Sequence, residues 1–195
     1  MMKDTLRKDF EELAEKKIDS TQVFDGVLLK VYRDNVTLPD GNPSVREVIH
    51  LYGAVGIIPI TKDGKVVIER QFRYPVNDIT IEIPAGKLDG PDEDPLAAAK
   101  RELLEETGIT AKKWIPMGLY HPSPAYTDEK IILYMAKDLE FGNQKLDEGE
   151  FLNVDFLSLK DLVDMVMDGK IIDGKTQLAI LKAAYLEKGS TCQID

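Results

Sequence analysis

The segment Arg101-Glu102-Leu103-Leu104-Glu105-Glu106 sets three carboxylates at positions i, i+3 and i+4. If the segment is helical, a repeat of 3.6 residues per turn projects all three from one side, with side-chain bases roughly 5–6 Å apart. Like charges that close repel, and spacing alone leaves two readings open. One is a solvated acidic face, ordinary in a chain with 35 Asp and Glu. The other is a site for a hard cation, because Mg²⁺ or Mn²⁺ takes oxygen ligands and relieves the repulsion. Two features favour the cation. Leu96, Ala99 and Leu103 recur at spacings of three and four, so the other face of such a helix is apolar and the carboxylates ride on a packed, rigid element. Ile83-Pro84-Ala85-Gly86-Lys87 leaves a predicted strand through a glycine, where backbone carbonyls can approach a metal or phosphate that a side chain would block.

These residues need elements to hold them. Pro95–Thr107 is the clearest helix: Asp94 can cap it, Pro95 suits its first turn, and Gly108 can close it in the left-handed conformation. Leu6, Phe10 and Leu13 predict a short amphipathic helix over 5–17. Strands are expected at 23–32 and 44–52, joined through Pro39-Asp40-Gly41-Asn42 as a hairpin. A second hairpin is expected from 55–60 and 65–70 around Lys62-Asp63-Gly64, with further strands at 79–83 and 130–136. Two helices close the chain, at 158–168 behind Ser158-x-x-Asp161 and at 176–188 before Gly189. The pattern predicts an α/β chain of the α+β kind: a mixed sheet packed between helices, with an N-terminal helix and β-hairpin arm. A two-stranded arm is marginal alone, so residues 1–52 should pack on the body, 53–195, or on a second subunit.

Composition bounds the function. The 195 residues carry 25 Lys and Arg against 35 Asp and Glu, a formal net charge of −10, which repels nucleic acid and anionic membrane in the absence of a basic patch. No basic patch is visible in the sequence. The first twenty residues hold no unbroken apolar run, so neither a signal peptide nor a spanning helix is expected, and a cytoplasmic protein is. The single cysteine, Cys192, can form no internal disulfide and no cysteine metal site. His50 and His121 read as structural, and Trp114, Met165 and Met167 as packing.

Gly86, Glu93 and Arg101-Glu102-Leu103-Leu104-Glu105-Glu106-Thr107-Gly108-Ile109 together resemble the Nudix box. Its usual form is Gly, five residues, Glu, seven residues, Arg-Glu, an aliphatic residue, any residue, Glu-Glu, any residue, Gly and an aliphatic residue. The half from Glu93 to Ile109 matches throughout, while six residues, not five, separate Gly86 from Glu93, which reads as a one-residue loop insertion around Gly90-Pro91. The other register, through Asp92, puts Lys100 where the arginine belongs. The resemblance runs over roughly residues 23–184. Arg70-Gln71-Phe72-Arg73-Tyr74-Pro75, Glu82-Ile83-Pro84-Ala85-Gly86-Lys87, the stretch from His121 to Glu129 and Asp147-Glu148-Gly149-Glu150 look like the ADP-ribose pyrophosphatase branch of the family. Ala125, where glycine is usual, and Tyr52, where proline is common, depart from that branch near loops that shape the pocket.

The resemblance implies hydrolysis of ADP-ribose or a related nucleoside diphosphate sugar to a nucleoside monophosphate and a sugar phosphate. It implies two or three Mg²⁺ (or Mn²⁺) ions held by Glu102, Glu105 and Glu106 with the Ala85 carbonyl and Glu150. Arg101, through Glu105 or Glu93, would orient the carboxylates. Glu148 is implied as the general base, with Glu129 its competitor, and Arg46, Arg73 and Glu82 as substrate contacts. It further implies a homodimer whose N-terminal arm crosses to the partner. Two other readings stay open: action on GDP-mannose, UDP-glucose or an oxidised nucleoside triphosphate, and a Nudix module that senses a nucleotide without hydrolysing it.

Overall fold

The computed structural model describes residues 10–187 and Gly189. The expected helix over 5–17 lies partly outside these residues, as does Cys192. Its described part is a single turn, α1 (Phe10–Leu13), after which the chain turns extended at Lys16. The described residues group into two compact units. The first comprises those up to Leu51 together with Ser123–Glu129; the second takes in Tyr52–Pro122 and the chain from Lys130 onward.

In the first unit, β1 (Lys16–Asp25), β2 (Lys30–Thr37) and β3 (Pro43–Ile49) form an antiparallel sheet in the order β1-β2-β3. The arm is thus three-stranded, not the expected hairpin. The predicted strand at 23–32 is two strands separated by a turn in which the Gly26 N–H donates to the Leu29 carbonyl. Lys16 and Lys17 belong to β1, not to a helix. Its stretch from 16 to 22 escaped notice because the strand is exposed at all ten positions, so no alternation of apolar and polar residues marks it. The 123–129 segment is held to this sheet by the Ile49 N–H, which donates to Tyr126 O at 2.8 Å. The His50 Nδ1 to Asp128 Oδ2 contact at 2.7 Å adds to it, and the His50 ring rests 5.0 Å from that of Tyr32.

The second unit contains two sheets. β4 (Ala54–Pro59), β7 (Ala85–Lys87), β8 (Ile109–Tyr120) and β9 (Ile131–Phe141) form a mixed sheet in the order β7-β4-β9-β8, in which β4 and β9 are parallel. β5 (Lys65–Arg73), β6 (Asp78–Glu82) and β10 (Leu152–Ser158) form an antiparallel sheet in the order β10-β5-β6. The expected hairpin of 55–60 with 65–70 has its turn, closed by Thr61 N–H to Lys65 O at 2.8 Å, but joins its strands only at the Ile60–Val66 bridge. Both edges of β4 are already taken, by β7 and β9, so β5 pairs elsewhere.

Alternation along β4 and β5 feeds two cores. Val55, Ile57 and Val67 point to one side and meet Ala98, Ala99 and Leu103 of α2 (Pro95–Thr107). Ile58, Ile60, Val66 and Ile68 point to the other and meet residues of α3 (Leu159–Met167) and α4 (Gly174–Glu187), among them Leu162, Ala179 and Ile180. Side chains two apart share a face, and each fully buried Leu or Ile contributes roughly 1.5–3 kcal/mol, so the unit clamps its strands between helices on both sides. Met165 and Trp114 pack at the margins of these cores, whereas Met167, read as packing, is exposed.

α2 begins and ends as its residue types require. The Asp94 side chain accepts from the Ala97 N–H at 2.8 Å, Pro95 opens the helix, and Gly108 closes it at φ +70°. Gly108 is doubly constrained, since a Cβ there would also lie 2.5 Å from the Asn143 carbonyl carbon. The segment passing beneath it supplies donors to the last turn of α2: the Gln144 side chain reaches Glu106 O at 2.5 Å and Lys145 N–H reaches Glu105 O at 2.9 Å. Carbonyls that the helix leaves unpaired are thereby satisfied by the chain that leads into Asp147–Glu150.

Candidate active site

The glutamates of α2 face the strands rather than open solvent. Glu102 lays its carboxylate across Gly86: a Cβ at that glycine would fall 1.8 Å from the Glu102 Cδ and 2.0 Å from its Oε1. Glu106 is 5% exposed and accepts the Ala85 N–H at 2.9 Å. The strand exit at Ala85-Gly86 is therefore shaped to seat two carboxylates, which is the physical reason for the glycine.

Arg101 gathers the surrounding acids. Its Nη1 donates to Glu102 Oε1 at 2.7 Å and to Glu105 Oε2 at 3.2 Å, while Nη2 reaches Lys87 O at 3.3 Å and Glu93 Oε1 at 3.4 Å. Glu93 also accepts the Asp89 N–H at 2.6 Å, which ties down the loop carrying the extra residue. Charge-assisted bonds of this kind hold carboxylates in one orientation that would otherwise splay apart.

A further carboxylate stands behind this group, one that sequence reasoning passed over. Glu69 on β5 lies opposite Glu82 of β6, is only 4% exposed, and its Oε1 has no hydrogen-bond partner. The one signal for it was an acid at the end of the apolar run Val66-Val67-Ile68, which the neighbouring Arg70-Gln71 masks. Burial, reinforced by the charges of Glu82 and Glu150 and opposed by Lys175 and Arg73, raises its carboxyl to about 8. Burial and the charge of Glu69, opposed by the Ala85 N–H and reinforced by Glu102 and Glu150, raise Glu106 to about 9. Burial also raises Glu102, against the pull of Arg101. Glu69, Glu102, Glu106 and Glu150 thus act on one another across a shared space.

Among the described residues no three acidic, histidine or cysteine side chains are drawn together tightly enough to grip an ion as they stand. Glu102 and Glu105 are turned to Arg101 instead. The donor set nevertheless fits a hard divalent cation. Every donor is an oxygen, one buried carboxylate oxygen is partnerless, and the mutual repulsion of the group is the kind that a cation removes.

Beside this group lies a second constellation. Arg73 forks Glu82, with Nε to Oε1 at 2.6 Å and Nη2 to Oε2 at 2.7 Å. Thr80 Oγ1 donates to Glu82 Oε1 at 2.5 Å, and Lys175 Nζ bonds Oε2. Burial alone would raise the Glu82 carboxyl, but these bonds and the two cations hold it down at about 2. Arg73, Thr80, Glu82 and Lys175 border a cleft of about 370 Å³.

The other expected residues are placed as follows. Glu148 is exposed on the Asp147–Glu150 turn, and the charge of Glu150 on the same turn bears on Glu102 and Glu106. Arg46 belongs to the first unit, where it forks Glu15. Phe72 and Tyr74, flanking Arg73, are 53% and 85% exposed. No helix among the described residues is long and apolar enough to cross a membrane.

A seat for two glutamates at a strand exit, an arginine of the same helix binding one of them and its neighbour Glu105, and a mixed sheet between helices define a recognisable class. The NUDIX domain matches residues 50–176, and the chain belongs to the Nudix family. The nucleoside diphosphate sugar hydrolase N-terminal domain matches residues 15–49. An ADP-ribose pyrophosphatase of Bacillus subtilis (strain 168) is 39% identical over 172 residues, covering 87% of this chain and 92% of that protein. A methanol dehydrogenase activator of Bacillus methanolicus is also 39% identical, over 85% of this chain and 90% of its own length. In three dimensions the chain superposes on an ADP compounds hydrolase with a TM-score of 0.80 at 23% identity, over 91% of this chain and 96% of that one. The last likeness is one of fold. Nudix hydrolases generally use divalent metal ions.

Proposed function

We propose that the chain hydrolyses the pyrophosphate bond of ADP-ribose or a related nucleoside diphosphate sugar, with Mg²⁺, giving a nucleoside monophosphate and a sugar phosphate. The observation that carries this reading is the seat at Gly86, where the Glu102 carboxylate occupies the space of a missing side chain beside the buried Glu106 and Glu69. The 39% identity to an ADP-ribose pyrophosphatase supports the substrate class.

Water adds across the P–O–P bridge: one phosphorus gains its oxygen, the bridging P–O bond breaks, and the leaving phosphate carries the bridge oxygen away. Both phosphates are anionic and repel an incoming hydroxide. In this reading Ala85, Glu102, Glu105, Glu106 and Glu150 supply oxygens to two or three Mg²⁺ ions, with Glu69 joining them. Bound there, the ions would neutralise the diphosphate and acidify a water. Arg101 keeps Glu102 and Glu105 aligned by its hydrogen bonds to both. Glu148, on an exposed turn, takes the proton from the attacking water, and Glu148→Gln against Glu129→Gln decides between the two candidate bases. Arg73 offers the edge of its guanidinium that Glu82 leaves free to a substrate phosphate. Arg46 on the arm serves as a further contact.

Hydrolysis of a panel of ADP-ribose, GDP-mannose, UDP-glucose and an oxidised nucleoside triphosphate with Mg²⁺, resolved by product chromatography, tests the reading. ADP-ribose or another diphosphate sugar should give a monophosphate and a sugar phosphate, and chelation should stop the reaction. Tight binding without turnover on any member would instead favour the sensor. Carrying out the reaction in oxygen-18 water locates the attacked phosphorus.

Residues 1–52 are read as a dimerisation arm and 53–195 as the catalytic body of a cytoplasmic homodimer. β1 is exposed along its full length, and Ile18, Phe24 and Val45 on the same sheet are 61%, 55% and 48% exposed, an apolar surface suited to a second copy. Sedimentation at micromolar concentration should give twice the chain mass of 21.9 kDa. A mass near one chain removes the dimer.

A further inference from the structure

The Glu82 carboxylate has no capacity left for a ligand. An ionised carboxylate offers about four lone-pair sites. Arg73 Nε and Thr80 Oγ1 occupy Oε1, and Arg73 Nη2 and Lys175 Nζ occupy Oε2. Its side chain is 5% exposed. Arg73 is the reverse case. It commits Nε and one Nη2 hydrogen to Glu82, its side chain is 44% exposed, and the opposite edge of the planar fork has no partner among the described residues. Glu82 therefore aims Arg73 and does not itself touch what binds.

What aims Glu82 is the first turn of α4. Lys175 is 9% exposed, lies 3.2 Å from Asp173 Oδ2, and bonds Glu82. Asp173 caps the helix by accepting the Thr176 N–H at 2.9 Å and the Thr176 hydroxyl at 2.5 Å. Thr176, wholly buried, accepts in turn from the Ile83 N–H at 2.9 Å, one residue beyond Glu82 and on the way to Ala85-Gly86. The helix start is thus bonded to consecutive residues of the strand exit, by charge at Glu82 and by a hydroxyl at Ile83.

We infer that Lys175 is a positioning residue for substrate binding: with Asp173 and Thr176 it clasps α4 to the end of β6 and holds the Arg73–Glu82 fork so that the free guanidinium edge meets a phosphate. This rests on the reading of Arg73 as a phosphate contact. Charge counting gives the consequence. Within the bonded group, Arg73 and Lys175 offset Glu82 and Asp173, with Glu69 standing across the strand pair from Glu82. Removing the lysine leaves one cation against two carboxylates, a net negative cluster facing an anionic substrate. Hydrogen bonds between charged groups contribute enough that their loss weakens binding roughly ten- to a hundredfold.

Lys175→Met should raise KM for the diphosphate sugar about tenfold or more, with kcat within about threefold. Lys175→Arg, which keeps the charge, should restore KM to within about threefold of the wild type. Lys137→Met is the control, because Lys137 bonds Glu187 at the far end of the same helix, and it should leave KM unchanged. The Arg73 Nε–H resonance in a nitrogen-15 spectrum reads the clasp without turnover: slow solvent exchange in the wild type and in Lys175→Arg, fast exchange in Lys175→Met. A Lys175→Met protein that is merely less heat-stable, with KM and the Arg73 signal unmoved, overturns the inference. So does a loss confined to kcat, or an equal KM change in Lys137→Met. If the wild type hydrolyses no member of the panel, the functional reading fails alone, since the exchange measurement still reports on the clasp.

Discussion

A Gly86→Ala protein folds, and turns substrate over roughly 10³-fold more slowly than the wild type, the scale of losing several kcal/mol of charge stabilisation. The added methyl would sit 1.8 Å from the Glu102 Cδ, far inside contact distance. Backbone does not have to move to relieve this, because what stands in the way is the end of a flexible side chain. The cost to stability should therefore stay within about 1–2 kcal/mol, read as a small fall in Tm. Glu102 must swing out of its seat, taking its oxygens from the shared space and loosening the Arg101 contact at 2.7 Å. Because the two changes act through one carboxylate, Gly86→Ala combined with Glu102→Gln should be no slower than the worse single variant. Full additivity of the two losses, or near wild-type kcat in Gly86→Ala, rules out the seat as the organising feature.

Glu69→Gln and Glu106→Gln should each make the metal-free protein more stable and the enzyme slower. Both carboxyls are raised in the folded state, to about 8 and about 9, chiefly by burial, with the charges of Glu82 and Glu150 adding at Glu69 and that of Glu69 adding at Glu106. A carboxyl raised on folding contributes its full stability below the unfolded value near 4.5 and loses it as pH climbs through the folded value. The metal-free wild type should accordingly weaken between about pH 5 and pH 9, and an amide at either position should flatten that decline. The gain at pH 8 is on the order of 1–3 kcal/mol, several degrees in Tm for a chain of this size, and near zero at pH 4.5. Turnover should fall about 10²–10³-fold, and millimolar Mg²⁺ should raise Tm in the wild type but little in either variant. Melting curves with and without chelator across that pH range, beside kcat, check all three expectations. A variant that is less stable at pH 8 and fully active contradicts the account of this pair.

Much of the site was legible because its determinants are local. The i, i+3, i+4 spacing of Glu102, Glu105 and Glu106 needs only a helix, and Asp94, Pro95 and Gly108 delimit that helix as observed. Gly86 announced a close approach, and the approach is there, although what approaches is a carboxylate of the chain itself. The expectation that the glutamates face away from the packed side of α2 held only in part. Glu106 is buried, because the strand exit at Ala85 reaches over the helix and gives it an N–H.

Other features were not written locally. β1 is exposed at every position among the described residues and carries no apolar alternation, so the arm looked like a hairpin with a helix before it. β8 and β10 went unpredicted: Lys112, Lys113 and Pro116 break the pattern of the first, and Asn153 and Asp155 that of the second. Periodicity could name 55–60 and 65–70 as strands but not say that they enter different sheets, since the strands that claim β4 arrive from 85–87 and 131–141.

The order of residues along the chain was enough to determine a helix bearing three acids and a glycine at the strand exit before it, because each depends on neighbours within about two turns. Only the folded chain decided that Glu69 joins those acids, that Glu82 is saturated by Arg73, Thr80 and Lys175, and that the last helix is bonded to the strand exit. Those pairings span gaps of up to 93 residues. Whether such distant charges meet is set by which strand edges and helix faces find each other in the core, and no local spacing encodes that.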